Sequence, residues 1–185
     1  MAQRKLDHHE SLVNGLRNRN RDAQFEIYQL YTVAMFNTSL RIVKDRAEAE
    51  DVLQEAFLAA FTKIDHFQGD STFGAWLKRI VVNKSINAVQ KRKASLVSMD
   101  EHPLENVGEQ APVENEPPLW NVDQIMNAVE QLPDGYRIVF SLYLLEGYDH
   151  REIAEILNIS EGGSKSQYNR AKKKLREILT AQYHV

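Results

Sequence analysis

Residues 147–177 read GYDHREIAEILNISEGGSKSQYNRAKKKLRE, and this stretch carries the clearest fold signal in the chain. Asp149 and Glu152 are spaced as in a capping box, which favours the start of a short helix at this point. The Asn-Ile-Ser sequence at 158–160 predicts a turn whose serine caps a longer helix reaching to about Leu179. Two helices joined by so short a turn predict a helix-turn-helix.

The longer of these two helices has one apolar face and one basic face. The predicted core positions are Tyr168, Ala171, Leu175 and Ile178. The outward positions are Lys165, Ser166, Asn169, Arg170, Lys172 and Lys173. Arginine and lysine side chains can read guanine edges in a major groove, and asparagine can read adenine. The outward face is therefore a candidate surface for duplex DNA. Upstream, Gly147 is predicted to end a helix that starts near Tyr136.

A second amphipathic helix is predicted from about Ala47 to Ile64. Its apolar stripe consists of Ala49, Val52, Leu53, Ala56, Phe57, Ala60, Phe61 and Ile64. Its opposite face carries Asp51, Gln54, Glu55 and Leu58, whose spacing of three or four residues makes them neighbours on the surface. Acidic residues on a helix are usually only solvated, and Leu58 alone argues locally for a binding surface.

A third helix is predicted from Thr72 to about Lys93, with Ser71 as its N-cap. Its inward positions are Phe73, Trp76, Leu77, Ile80, Val81 and Ile86. A tryptophan at such a position is more often a core residue than a platform for base stacking, and both interpretations remain open.

Charge divides the 185-residue chain into blocks that its net charge of −3 conceals. Residues 71–93 contain six basic side chains and no acidic one, whereas residues 94–136 contain nine acidic side chains and no lysine or arginine. The balance is basic again over 161–177. Pro103, Pro112, Pro117 and Pro118 lie in the acidic block, which has the composition of a linker. No strand pattern occurs, so we predict an all-α protein of two small helical domains joined by a flexible acidic linker.

Several function classes are disfavoured by composition. The chain has no cysteine for disulfides or thiolate metal ligation, and no apolar run of membrane-spanning length. The segment 1–10 lacks the apolar region of a signal peptide, so a cytoplasmic location without membrane insertion is expected. There is no glycine-rich phosphate loop or nucleophile motif, and His8, His9 and Glu10 are a weak basis for a catalytic site. We therefore expect no enzymatic activity, metal or cofactor.

Three segments, AEDVLQEAF at 49–57, FQGDSTFGAWLKRIVVNKSIN at 67–87 and the stretch at 147–177, resemble the extracytoplasmic-function (ECF) sigma factors of bacterial RNA polymerase. The resemblance implies four parts: an N-terminal extension with the start of the first helix at 1–19, sigma domain two at 20–94, the acidic linker at 95–119 and sigma domain four at 120–185. It implies a polymerase subunit that recognises and melts promoters.

The resemblance also assigns roles to residues. The core polymerase, through its beta-prime clamp helices, would bind Asp51, Gln54, Glu55 and Leu58. The −10 element would be melted by the loop and the helix that follows it. Its flipped base would lie in a pocket shaped by Phe67, Asp70, Ser71 and Thr72, and the unpaired strand would lie along Trp76, Lys78, Arg79, Asn83 and Asn87. The −35 element would be contacted by Lys165, Ser166, Asn169, Arg170, Lys172 and Lys173. The beta flap and an anti-sigma factor are further expected partners.

Two features leave alternatives open. Where relatives usually have threonine, valine and arginine, this chain has Gly163, Ser164 and Gln167. Gly163 either permits close approach to a phosphate or weakens the helix. Glu105, Glu109, Glu114 and Glu116 suit a linker that threads the polymerase cleft, but a plain tether would look similar.

The rival function is a helix-turn-helix regulator that binds duplex DNA without joining the polymerase.

Overall fold

The all-helical prediction is confirmed over the residues that can be described. A computed structural model describes residues 2–96 and 120–183, and these residues contain helices and turns but no strand. Close contacts divide the chain into two compact units, Met1–Val89 and Gln90–Val185. The helix that contains this division continues to Leu96, so the first two residues of the predicted linker are helical. The remainder of that linker lies outside the described residues.

Four helices form the first unit, with a short 3₁₀ turn between the third and the fourth. They are α1 (Ala2–Arg17), α2 (Arg21–Val43), α3 (Arg46–Thr62) and α4 (Phe73–Leu96), and the 3₁₀ turn is Ile64–His66. The Asn20 side chain accepts hydrogen bonds from the backbone N–H groups of Asp22 and Ala23 at the start of α2. Asp45 accepts one from Glu48 at 2.8 Å at the start of α3.

The predicted apolar stripe of α3 is buried in the core of this unit. Ala49, Ala56 and Ala60 have no exposed surface, and Phe57 is 3% exposed. The helix ends two residues earlier than predicted, because Ile64 lies in the 3₁₀ turn, where it is also fully buried. The core also includes residues that precede residue 20, the predicted start of sigma domain two, because α1 contributes Leu12, Val13 and Leu16.

In the second unit, residues 120–183 form four α-helices. They are α5 (Val122–Glu130), α6 (Asp134–Phe140), α7 (His150–Leu157) and α8 (Glu161–Tyr183). The helix predicted from Tyr136 to Gly147 begins earlier, and after Phe140 it continues as a π-helical turn, Ser141–Leu145. Gly147 has a positive φ of 80°, which suits a glycine after a helix end.

The helix-turn-helix prediction is confirmed by α7 and α8. Both hydrogen bonds of the Asp149–Glu152 capping box are present at the start of α7. Asn158 adopts the left-handed conformation with φ of 54°, which ends α7. The Ser160 hydroxyl accepts a hydrogen bond from the backbone N–H of Gly163 at 2.9 Å and so caps α8. Ala171 and Leu175 are buried in the core of this unit, and Tyr168 and Ile178 pack against it.

Candidate protein-binding and nucleic-acid-binding surfaces

One side of α3 is exposed along its length, and we call it the α3 face. It consists of Asp51, Gln54, Glu55 and Leu58, all exposed and opposite the buried stripe. The Leu58 side chain is 68% exposed and adds apolar area to a surface that is otherwise acidic and amide. Glu55 forms an ion pair with Lys84 at 2.8 Å, but its side chain remains 68% exposed. Such a surface pair stabilises the fold by less than about 1 kcal/mol and leaves the carboxylate accessible.

The loop between the 3₁₀ turn and α4 presents polar groups to solvent. Asp70, Ser71 and Thr72 are exposed, and Gly69 has a positive φ of 85°. The prediction that Ser71 caps α4 is wrong, because the Thr72 hydroxyl accepts the hydrogen bond from the Ala75 N–H at 3.2 Å. Thr72 therefore fixes the start of α4 while remaining at the surface.

Two aromatic side chains assigned to this loop and helix pack inward. Phe67 is only 8% exposed, and its ring centroid lies 5.4 Å from that of Trp76 and 5.7 Å from that of Phe73. Trp76 is half-buried and packs against the core. This packing supports a core role for both rings, and Trp76 keeps more exposed surface than Phe67.

Sequence reasoning missed two arginines that bond to the end of α3, to the 3₁₀ turn and to the start of the loop. The Arg17 guanidinium donates a hydrogen bond to the Phe67 carbonyl at 2.9 Å. The Arg19 guanidinium donates to the Phe61 carbonyl at 2.6 Å and to the Asp65 carboxylate at 2.7 Å. These contacts span more than forty residues of sequence, so no local pattern could have revealed them.

The basic and amide residues of α4 divide between two sides of the helix. Arg79, Asn83 and Asn87 are exposed and recur every four residues, so they form one stripe. Lys78 is half-buried. At about 100° per residue it lies about 180° around the helix from Asn87. The structure therefore does not bring Lys78 onto the stripe with the other three.

The outward side of α8 matches the predicted DNA-binding face, with one difference. Lys165, Ser166, Asn169, Lys172 and Lys173 are exposed, whereas Arg170 is half-buried. The Lys165 ammonium lies 2.6 Å from the Glu161 carboxylate, and this hydrogen bond and charge lower the pKa of Glu161. The Lys172 ammonium lies 4.9 Å from the centre of the Tyr168 ring. Burial raises the pKa of the Tyr168 phenol, and Tyr143 raises it further.

The three positions that depart from the family pattern have identifiable packing. A Cβ at Gly163 would lie 3.1 Å from the Ser160 hydroxyl oxygen, so the glycine leaves room for the cap. Ser164 is fully buried and is bonded to His150. Gln167 is half-buried. The pattern of the sequence did not indicate His150 as a partner of Ser164.

Neither a metal site nor a membrane-spanning helix is found within residues 2–96 and 120–183. No group of three histidine, aspartate or glutamate side chains there is arranged to hold a metal ion. Among these residues, no helix combines the length and apolar character required to span a bilayer.

Both units match known sequence families. Residues 27–95 match Sigma-70 region 2, and residues 123–175 match Sigma-70 region 4. The first match contains the α3 face, the loop and the α4 stripe, and the second contains α7 and most of α8.

Individual relatives span nearly the same length. The chain is 32% identical to the ECF RNA polymerase sigma factor SigM of Bacillus subtilis, over 83% of this chain and 93% of SigM. It is 28% identical to SigW of the same organism, over 90% of this chain and 94% of SigW. The sigma factor RpoE of Bartonella quintana, solved with the anti-sigma factor NepR, has a similar fold, with a TM-score of 0.57 and 24% identity over 85% of this chain and 96% of RpoE. With two matching sigma regions and a full-length relative at this identity, the chain belongs to the ECF family of RNA polymerase sigma factors.

Proposed function

We propose that this chain binds core RNA polymerase and directs it to promoters, where it recognises two DNA elements and melts one of them. The observation that carries the proposal is the presence of an exposed protein-binding candidate, the α3 face, in the same chain as the helix-turn-helix. A regulator that binds only duplex DNA would need only the helix-turn-helix unit, whereas the α3 face lies in a separate compact unit that matches Sigma-70 region 2.

The polymerase contact is proposed for the α3 face. Its carboxylates, amide and exposed leucine together offer charge, hydrogen-bond acceptors and apolar area to a partner helix. In the sigma factors that this chain resembles, the partner is the pair of clamp helices of the beta-prime subunit. We propose the beta flap as a second polymerase contact, made by the helix-turn-helix unit.

Recognition of the −10 element is proposed for the loop and α4. A flipped base needs polar groups for its edge, which Asp70, Ser71 and Thr72 offer from exposed positions. Arg79, Asn83 and Asn87 extend this surface along α4 and suit the unpaired strand. Of the two aromatic residues, Trp76 has surface left for stacking, and Phe67 supports the loop from the core. Lys78 is a weaker candidate because it faces away from the stripe.

Recognition of the −35 element as duplex is proposed for α8. Lys165, Ser166, Asn169 and Arg170 would contact bases and the neighbouring backbone, while Lys172 and Lys173 would bind phosphates. Lys165 would exchange its bond to Glu161 for a contact with DNA. Because that pair is exposed, the exchange costs little free energy.

The proposed role is not enzymatic, since the polymerase would supply the metal ions and the nucleotidyl transfer. It places the chain in the cytoplasm with the polymerase. A complex with an anti-sigma factor is known for the similar RpoE of Bartonella quintana, and we propose a partner of this class here.

The polymerase contact can be tested with the double variant Asp51→Ala, Gln54→Ala. Both side chains are exposed, so the fold should be retained while association with core polymerase in a pull-down is lost. The control variant Asp22→Ala, Gln29→Ala removes an exposed acid and an exposed amide from α2 and should bind normally. Full binding by the Asp51, Gln54 variant would contradict the polymerase contact and favour the duplex-binding regulator. If the variant loses binding as expected, run-off transcription with core polymerase on a library of promoter fragments would define the promoter sequence that the chain recognises.

A further inference from the structure

His150 and Ser164 join the first turns of the two helices of the helix-turn-helix. His150 is the first residue of α7, and its Nδ1 lies 2.9 Å from the hydroxyl oxygen of Ser164 in α8. Ser164 has no exposed surface. A buried hydroxyl without a partner would destabilise the unit, so the imidazole satisfies a group that packing alone could not.

The same imidazole contacts α8 a second time through aromatic rings. It stacks on Tyr143 of the π-helical turn, with ring centroids 4.4 Å apart and planes 11° from parallel. The Tyr143 ring lies 4.6 Å from that of Tyr168, over which the Lys172 ammonium is placed. His150 therefore supports α8 at two places, Ser164 in the first turn and Tyr168 one turn later.

These two supports lie next to the residues proposed to contact DNA. Ser164 immediately precedes Lys165 and Ser166, and Tyr168 immediately precedes Asn169. Hydrogen bonds to base edges weaken steeply when the donor and acceptor are misaligned. A small rotation of α8 would therefore reduce discrimination between bases more than it would reduce attraction to phosphates.

We propose that the His150–Ser164 pair is a positioning device that sets the orientation of α8 in the major groove and thereby sharpens −35 discrimination. This inference rests on the proposed sigma function. Neither residue has to touch DNA for the effect. The pair acts through the side chains on α8 that do.

The test uses holoenzyme assembled from core polymerase and the full chain. The probes are duplexes that the wild-type holoenzyme selects from a pool randomised at the −35 position, and derivatives carrying one base-pair substitution. The ratio of affinities for the selected and substituted duplexes is measured for each variant. His150→Phe keeps an aromatic ring beside Tyr143 but removes Nδ1, whereas His150→Asn keeps a hydrogen-bonding group near the Nδ1 position.

Ser164→Ala and His150→Phe should each reduce the affinity ratio about fivefold, as expected for one lost hydrogen bond. The double variant should reduce the affinity ratio no more than either single variant does, because both substitutions remove the same hydrogen bond. His150→Asn should retain a higher ratio than His150→Phe. Affinity for unrelated duplex and its salt dependence should stay unchanged, and the control His66→Ala, an exposed histidine in the first unit, should behave as wild type.

Two results would overturn the inference. One is an unchanged ratio in His150→Phe or Ser164→Ala, whether or not the melting temperature falls. The other is an equal loss of affinity for all duplexes, which would assign the pair to stability alone. Failure of the sigma function would be recognised separately, because wild-type holoenzyme would then select no −35 sequence.

Discussion

Arg170 and Lys173 lie on the same side of α8 but differ in how firmly their surroundings hold them. Arg170 is half-buried, so part of its side chain is restrained by packing, whereas Lys173 is exposed. A restrained guanidinium can make the directional, two-bonded contact that identifies guanine. A freely moving ammonium suits a phosphate, for which position matters less. The difference in packing therefore makes Arg170 the candidate for reading bases and Lys173 the candidate for binding phosphates.

Arg170→Ala should relax the preference at one or two −35 base pairs by about 1–3 kcal/mol. Lys173→Ala should instead weaken binding to all sequences alike and reduce the salt dependence of binding by about one charge. Affinities of holoenzyme for a panel of −35 duplexes at several salt concentrations measure both effects. If Lys173→Ala changed the base preference and Arg170→Ala weakened binding to all sequences alike, the two assignments would have to be exchanged.

The burial or exposure of a residue could be predicted where the helical period determines it, but its partners could not be predicted where contacts between helices determine them. The exposure of the α3 face and the burial of Ala171 and Leu175 follow from spacing along a helix. The orientation of Lys78 was missed because basic residues were grouped by composition rather than by angle around α4. The bond between Ser164 and His150 joins residues fourteen apart on different helices, which no periodic pattern encodes.

Elements were predictable where their ends carry side-chain caps. The capping box of α7, the Ser160 cap of α8 and the apolar stripe of α3 all located helices correctly. The bounds of α2 were not predicted, because its outer side exposes Phe25, Leu30 and Val33 as well as burying a core face. Apolar residues on both sides hide the period that reveals an amphipathic helix. The π-helical turn has no comparable sequence signal.

The packing of α1 against α2 depends on a glycine. A Cβ at Gly15 would lie 2.6 Å from the Cβ of Ala23, closer than two such atoms can approach. On α8, Gly162 has open space where its Cβ would be. The two helical glycines therefore provide a matched pair, since alanine improves helix propensity at both sites but meets a neighbour at only one.

Gly15→Ala should lower the free energy of unfolding of the first unit by about 1–2 kcal/mol, because the clash outweighs the gain in propensity. Gly162→Ala should raise the free energy of unfolding of the second unit by up to about 1 kcal/mol. Trp76 and Trp120 are the two tryptophans of the chain, one in each unit. Urea unfolding followed by fluorescence, with the other tryptophan changed to phenylalanine, measures each unit. A stabilised Gly15→Ala variant would contradict the close packing of α1 on α2.

At the scale of the whole molecule, each compact unit has its own core and its own candidate DNA surface. Thr72 and the α4 stripe lie just before α4 and along it, and α4 packs around one core, whereas α8 packs around the other. The basic block at 71–93 includes the α4 stripe and the basic block at 161–177 lies on α8, so the chain's net charge of −3 does not describe either surface. Contacts made by one unit should therefore contribute to promoter binding without altering the local geometry of the other.

This organisation predicts that substitutions in the two units have additive effects. Arg79→Ala and Arg170→Ala each should weaken binding of holoenzyme to a promoter fragment with an unpaired −10 strand and a duplex −35 element. The loss in the double variant should equal the sum of the single losses within about 0.5 kcal/mol, because the two substitutions lie in different compact units and contact different DNA elements. Using a DNA that is already open at −10 removes melting from the measurement, so only contact energies are compared. A double loss clearly larger or smaller than that sum would show that the two DNA surfaces are energetically coupled in the holoenzyme.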